Sequence, residues 1–204
     1  MKKLNIKTNL FTNKHPHFIG SWNIENDTLC REMINFFEEN NDLHGEGRTG
    51  NAPDPLKKKT TDISIIPEQL KDLKFKCFNN YLSELHKCFV DYQEQWPFMK
   101  FIIKNVDIGP FNFQRYLPGD HFSNVHTERC NLESLHRVFA WMTYLNDVED
   151  SATTNFSHYN ISIKPEMGKT LIWPAEWTHA HSAGVLKKGV KYIVTGWMHF
   201  PHEE

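Results

Sequence analysis

The chain has 204 residues and a formal net charge of -2, with 39% hydrophobic and 24% charged residues. That balance excludes a disordered tail and leaves no whole-molecule field to recruit nucleic acid or an anionic membrane. Fifteen Phe, six Trp and six Tyr are enough to fill the core of one domain.

No apolar run approaches the roughly 18 residues of a membrane span, and Met1-Lys2-Lys3 is not followed by an apolar leader, so the sequence reads as soluble, unprocessed and cytoplasmic. Cys30, Cys77, Cys88 and Cys130 contain no CxxC, which fits reduced thiols better than a disulfide framework or a thiolate zinc site.

In chain order, Leu29, Met33, Ile34, Phe36 and Phe37 recur at helical spacing behind Asp27-Thr28, an N-cap signal. Residues 41–62 turn polar and rich in Gly and Pro, ending near Lys57-Lys58-Lys59, as an exposed, mobile loop does. The lysine run reads as a solvated face rather than a nucleic-acid patch. A second helical segment is expected from Pro67 to Gln95, with Leu70, Leu73, Phe75, Phe78, Tyr81, Leu82, Leu85 and Phe89 at spacings of three and four. After Trp96-Pro97 the period changes to alternation. Strands are expected at Phe111–Leu117, Val138–Leu145, Asn160–Lys164, Lys169–Trp173 and Lys191–Phe200, each bounded by turn residues. Short strands at this spacing suggest an antiparallel sandwich or jelly roll covered by the front helices. The whole chain reads as one domain, with helical support and the loop in about 1–100 and the jelly-roll core in about 101–204.

The sharpest local chemistry is His126-Thr127-Glu128. In an extended segment, residues i and i+2 point the same way, so an imidazole and a carboxylate would stand side by side. A third ligand must come from a neighbouring strand, and His179 and His181 are both candidates. Two His and one carboxylate, with open positions, make the facial triad of non-haem Fe(II) oxygenases. In the last strand Lys191 falls on a largely apolar face with no carboxylate in the strand itself, and a buried ammonium there calls for an anionic partner. His121, His136, His158, His199 and His202 read as surface or rim residues, His179 as an exposed one, and Phe111, Phe113, Phe139 and Trp141 as core.

Residues 111–200 resemble the prolyl-4-hydroxylase-like branch of the Fe(II)/2-oxoglutarate-dependent oxygenases, especially its small bacterial and phage versions. The resemblance rests on Arg115-Tyr-Leu-Pro-Gly119, His126-Thr-Glu128, the Thr143-Tyr-Leu-Asn-Asp147 strand end, Ser151-Ala-Thr-Thr154, Gly168-Lys-Thr-Leu-Ile-Trp173, and a distal His followed ten residues later by Lys. That spacing selects His181 over His179. The resemblance implies a double-stranded β-helix (jelly-roll) with Fe(II) on His126, Glu128 and His181. It assigns Lys191 to the distal carboxylate of 2-oxoglutarate, Tyr116 and Thr154 to hydrogen bonds with the cosubstrate, and Trp197 to the pocket wall. The implied reaction is hydroxylation of a C–H bond with 2-oxoglutarate decarboxylated to succinate and O2 as cosubstrate, with ascorbate as an accessory reductant. A prolyl residue of a peptide or protein is the first substrate expectation and a small molecule the second. No membrane or nucleic-acid partner is implied, and the compartment is the cytoplasm of a bacterial or phage-infected cell. A nucleic-acid demethylase of the same superfamily is the alternative enzyme, but the arginine-rich signature of that branch is missing after His181. A non-catalytic jelly-roll binding module is the other alternative, although every ligand position is filled. Three departures stand out: Glu128 replaces the commoner Asp, Ser151-Ala152 replaces a Gly pair, and Ser182 replaces an Arg. Arg48 and the Lys57-Lys58-Lys59 run, in a polar loop that the resemblance places near the active-site mouth, are a candidate substrate clamp.

Overall fold

The computed structural model describes residues 16–50, 52–149 and 152–201. The elements in order are β1 (Gly20–Asn23), α1 (Asp27–Glu39), β2 (Gly45–Glu46), β3 (Arg48–Thr49), β4 (Ala52–Pro53), β5 (Thr61–Ile65), α2 (Lys76–Gln95) and α3 (Pro97–Ile102). They continue as β6 (Asp107–Ile108), β7 (Phe111–Tyr116), β8 (Phe122–His126), β9 (Arg137–Tyr144), β10 (Thr154–Phe156), β11 (Ile161–Ile163), β12 (Lys169–Pro174), β13 (His181–Ala183) and β14 (Lys191–His199).

Two antiparallel sheets face each other as the walls of a jelly roll. The larger runs β1-β12-β9-β14-β7-β5-β2, with β6 on the far end of β14, and the smaller runs β11-β10-β13-β8. The strands expected from alternation appear as β7, β9, β11, β12 and β14 within a residue or two of their expected ends. β5 is an addition. Its Thr-Asp-Ile-Ser-Ile alternation lies inside and just beyond the stretch read as loop, and it pairs with β7 from Thr61↔Arg115 to Ile65↔Phe111. The same stretch also carries the β3–β4 hairpin.

The helices form where their apolar stripes find the outer face of the large sheet. In α1, Leu29, Cys30, Met33, Phe36 and Phe37 are buried, and the cap is Asn26, one residue before the expected pair, whose side chain accepts the Leu29 N–H at 3.1 Å. Asp27 is thereby left in the first turn, where its charge suits the positive end of the helix. The segment expected as one helix from Pro67 begins instead as two 3-10 turns, Pro67–Lys71 and Leu73–Phe75. Asp72 interrupts it by accepting the Lys74 N–H at 2.9 Å, and the regular helix starts only at Lys76.

β14 divides the core in two. Val194 and Met198 point to the helix side, with Phe111, Phe113, Phe139 and Trp141. Ile193 and Trp197 point between the sheets, with Tyr116, Phe156 and Trp173. Gly196 permits this packing, because a Cβ there would meet Phe111 Cβ at 2.6 Å and Trp141 Cζ2 at 2.7 Å. Among the described residues no helix is long and apolar enough to cross a membrane.

Candidate active site

Between the sheets opens a cavity of about 480 Å3 whose lining includes Tyr116, His126, Glu128, Thr154, His181, Lys191 and Trp197. All seven residues expected from the sequence therefore line one cavity. His126 ends β8 and His181 begins β13, and the two are Cα partners across that strand pair. Glu128 follows two residues beyond the end of β8.

The segment holding His126 is not the regular strand expected from its sequence. Ala183 faces Phe122 and His181 faces His126, so three residues of β8 stand opposite one of β13. Ser123, Asn124 and Val125 therefore bulge outward and are exposed. The bulge folds the Phe122 ring flat onto His126, with centroids 3.8 Å apart and planes at 10°. It also brings the Asn124 carbonyl to 2.9 Å from His126 Nδ1. His181 is oriented the same way, its Nδ1 bonded to the His179 carbonyl at 3.0 Å, and its ring lies against Trp173 at 5.1 Å and Phe156 at 5.5 Å. A carbonyl can only accept, so both Nδ1 atoms carry the proton and both Nε2 atoms present a lone pair.

Those lone pairs converge on Glu128, whose Oε1 lies 3.3 Å from His181 Nε2 and 3.8 Å from His126 Nε2. One donor atom from each of the three lies within 4.8 Å of the others. Burial, reinforced by the His181 ring, pushes the His126 imidazole down to about 4. Burial would push the Glu128 carboxyl up, but the neighbouring His181 and His126 imidazoles and the Trp197 N–H hold it down at about 2. A neutral imidazole and an ionised carboxylate are the ligand-competent forms. Glu128 Oε2 accepts the indole N–H of Trp197 at 2.7 Å. Arg137 lies 3.6 Å over the Trp197 ring and donates to the Glu128 carbonyl at 2.9 Å. The donor set and its supports fit Fe(II).

At the inner end, Lys191 is 1% exposed and pairs across β7–β14 with Tyr116. Its ammonium lies 3.9 Å over the Tyr116 ring and 3.3 Å from the Ala152 carbonyl. Among the described residues no carboxylate lies within ion-pair distance of it, and burial pushes it down to about 7. A buried cation lined up on an open cavity with no anion of its own fits the carboxylate of a dianionic keto acid. Thr154 bonds the Tyr144 hydroxyl at 2.6 Å, and the Tyr116 hydroxyl donates to Gln114 at 2.9 Å.

Other expectations change. His179 is 3% exposed rather than solvent-facing, because its Nε2 bonds the His17 carbonyl at 2.8 Å and holds the start of the described chain against the small sheet. The three lysines of the run have three different fates. Lys57 is exposed beside Asp54, Lys59 reaches Asp120 at 3.0 Å, and Lys58 is buried on Asp62 at 2.6 Å and lines the cavity. Arg48 is exposed and reaches the cavity mouth from the β3–β4 hairpin. Gln114, Phe122, Arg137 and Tyr144 were not singled out as site residues. Only Arg137 carried a usable signal, as a cation opening a strand that is otherwise apolar and aromatic. His121 and His199 are half-buried, while His136, which meets the His199 ring at 4.3 Å, is exposed as expected. His158 is exposed, and His202 and Ser151 lie outside the described residues.

Residues 111–199 match the model of the 2OG-Fe(II) oxygenase superfamily. Among curated proteins none matches the chain. Solved structures with similar folds include a Pseudomonas putida prolyl-4-hydroxylase, with 14% identity over 90% of this chain and 93% of that one at a TM-score of 0.69. The viral collagen prolyl hydroxylase of Paramecium Bursaria Chlorella virus-1, solved with 2OG, shares 16% identity over 89% and 95% at 0.63. A Trichoplax adhaerens prolyl hydroxylase, solved with a hypoxia inducible factor peptide fragment, shares 13% over 90% and 84% at 0.69.

Proposed function

We propose that this chain, whose residues 111–199 match the model of the 2OG-Fe(II) oxygenase superfamily, is an oxygenase of that kind and hydroxylates an aliphatic C–H bond of a peptide or protein, with a prolyl residue as the first candidate. The observation that carries this reading is the presence in one cavity of three converging donor atoms and a buried Lys191 that has no carboxylate at ion-pair distance among the described residues. The cofactors of the family, Fe(II) with 2-oxoglutarate and O2, supply the oxidising power, 2-oxoglutarate leaving as succinate and carbon dioxide.

The residues of this chain bind, orient and shield. His126, Glu128 and His181 would hold the iron, which would supply the oxidising chemistry at the cavity they line. Trp197 fixes the Glu128 carboxylate, so the ligand does not swing between its two oxygens. Lys191 receives the distal carboxylate of 2-oxoglutarate, with the Tyr116 ring and Thr154 closing the inner end against water. Arg137 and Arg48, at the outer side, present cations to the carbonyls of an incoming peptide backbone. The peptide and prolyl assignment draws on the structural relatives, which are prolyl hydroxylases, one of them solved with a peptide.

The test is an anaerobic titration of the full chain with Fe(II) and 2-oxoglutarate, following the visible charge-transfer band of the chelated keto acid. The expected result is a band abolished by His181→Ala and weakened by Lys191→Ala. A folded, iron-loaded protein that gives no band would overturn the assignment. Incubation with proline-containing peptides and mass spectrometry for one added oxygen then tests the substrate class.

A further inference from the structure

The two ends of the cavity are joined by one continuous chain of contacts along its wall, with Asp62 behind it. At the outer end the His126 ring is stacked on Phe122 at 3.8 Å, and the Lys58 ammonium lies 5.6 Å from the centroid of that same Phe122 ring. Lys58 is 4% exposed and is held by Asp62 Oδ2 at 2.6 Å. Asp62 is a hub. Its Oδ1 accepts from Thr60 at 2.6 Å, and its Oδ2 also accepts from the Gln114 amide at 3.2 Å. Gln114 in turn accepts from the Tyr116 hydroxyl at 2.9 Å, and the Tyr116 ring carries Lys191. Asp62, Gln114 and Tyr116 are themselves 8%, 4% and 1% exposed, so solvent does not compete for these bonds. In such surroundings each member fixes its neighbour more firmly than in water.

We infer that Asp62 is a positioning residue coupling the iron ligand His126 to the cosubstrate lysine Lys191, so that one side chain outside the ligand set governs both metal and 2-oxoglutarate affinity. The inference rests on the iron and cosubstrate roles proposed above. Asp62 touches neither His126 nor Lys191. Its carboxylate keeps the Lys58 ammonium against Phe122 on one side and sets the Gln114 amide, and hence the Tyr116 ring, on the other. Lys58 and Asp62 belong to the turn and strand that lead from the β3–β4 hairpin into the large sheet, so the hairpin over the mouth and the metal site share a mechanical connection.

The experiment compares wild type with Asp62→Asn, Lys58→Met and Phe122→Leu, each as the full chain and each checked for thermal unfolding. Two quantities are read: the affinity and visible spectrum of bound Co(II) alone, and the affinity of the Co(II)-loaded protein for 2-oxoglutarate without oxygen. Asp62→Asn is expected to weaken both affinities, by roughly tenfold for the metal, and to alter the Co(II) spectrum. Lys58→Met and Phe122→Leu should weaken the metal while changing 2-oxoglutarate little, and Asp62→Glu should restore part of both. Wild-type affinities and spectrum in a folded Asp62→Asn protein would overturn the coupling. Should that variant not fold, wild-type Co(II) affinity in Lys58→Met and Phe122→Leu would overturn it equally. A wild type that binds no Co(II) or 2-oxoglutarate would defeat the functional reading instead.

Discussion

Trp197 and Glu128, 69 positions apart, share a 2.7 Å hydrogen bond from indole to carboxylate. It uses the oxygen that does not face the two imidazoles, so the bond occupies one carboxylate oxygen and leaves the other free to serve the proposed metal site. Replacing Trp197 with Phe keeps the ring and removes the donor. Metal affinity is expected to fall roughly 10- to 100-fold with little change in melting temperature, as read by titration with Co(II) and by thermal unfolding. Unchanged affinity would show that Glu128 holds its orientation without the indole.

With Lys191 in its proposed role, 2-oxoglutarate binding should depend on pH. Burial lowers its folded-state value from 10.5 to about 7, and the dianion selects the ammonium form. Above pH 7 binding must therefore take up a proton, and affinity should decline toward a limiting ~tenfold per pH unit. The same shift acts on stability with a definite sign. Between about 7 and 10.5 the unfolded chain holds more protons on this lysine than the folded one, so the ligand-free protein should gain stability as pH rises through that window. Lys191→Met should bind weakly at every pH and lose that gain. Calorimetry in buffers of different ionisation enthalpy measures the uptake, and zero uptake at pH 8 would refute it.

The two histidines of the Trp177–Gly184 segment should separate cleanly. His181→Ala removes a converging donor and should abolish tight metal binding. His179→Ala removes the bond to the His17 carbonyl but keeps the backbone carbonyl that orients His181. It should cost about 1–3 kcal/mol of stability and leave metal affinity within a few-fold. Denaturant melts alongside metal titrations of the two variants decide the matter, and equal metal loss in both would reverse the assignment.

Gly196→Ala should be disruptive although the position is far from any ligand. The new methyl group would meet Phe111 Cβ and the Trp141 ring at under 3 Å, so β14 or its neighbours must move, at about 1–3 kcal/mol. A melting temperature equal to wild type would show that the two faces of β14 are less tightly set than the distances indicate.

How much of this was legible in the sequence depends on how local each cause is. β7 and β14 largely alternate in burial, β9 and β12 are unbroken buried runs bounded by turn residues, and the ligand motif with the His181–Lys191 spacing is a pattern along the chain, so these could be read. β10 and β13 have three residues each, too few to show a period. The β8 bulge could not be read either, because Ser123-Asn124-Val125 continues the strand composition around it and only the pairing with β13 shows the extra residues. Lys58 looked like its neighbours Lys57 and Lys59, since what buries it is Asp62 and the Phe122 ring, contacts a sequence window cannot see. Trp197 was expected at the pocket wall, but its bond to Glu128 joins two elements that meet only in the folded sheet.

The division of the core by β14 also sets where oxidative wear can fall. Cys30, Cys88, Met33 and Met198 all lie on the helix side, separated from the cavity by the full thickness of the large sheet. On the cavity side the oxidisable sulfurs are Cys130 and Met142, the first exposed and the second in the wall. An oxidant released in the cavity without a substrate to consume it meets those two sulfurs first, and either can accept oxygen without a structural disulfide or a helix contact being lost. Idle turnover should thus spoil the chamber while the scaffold around it still stands.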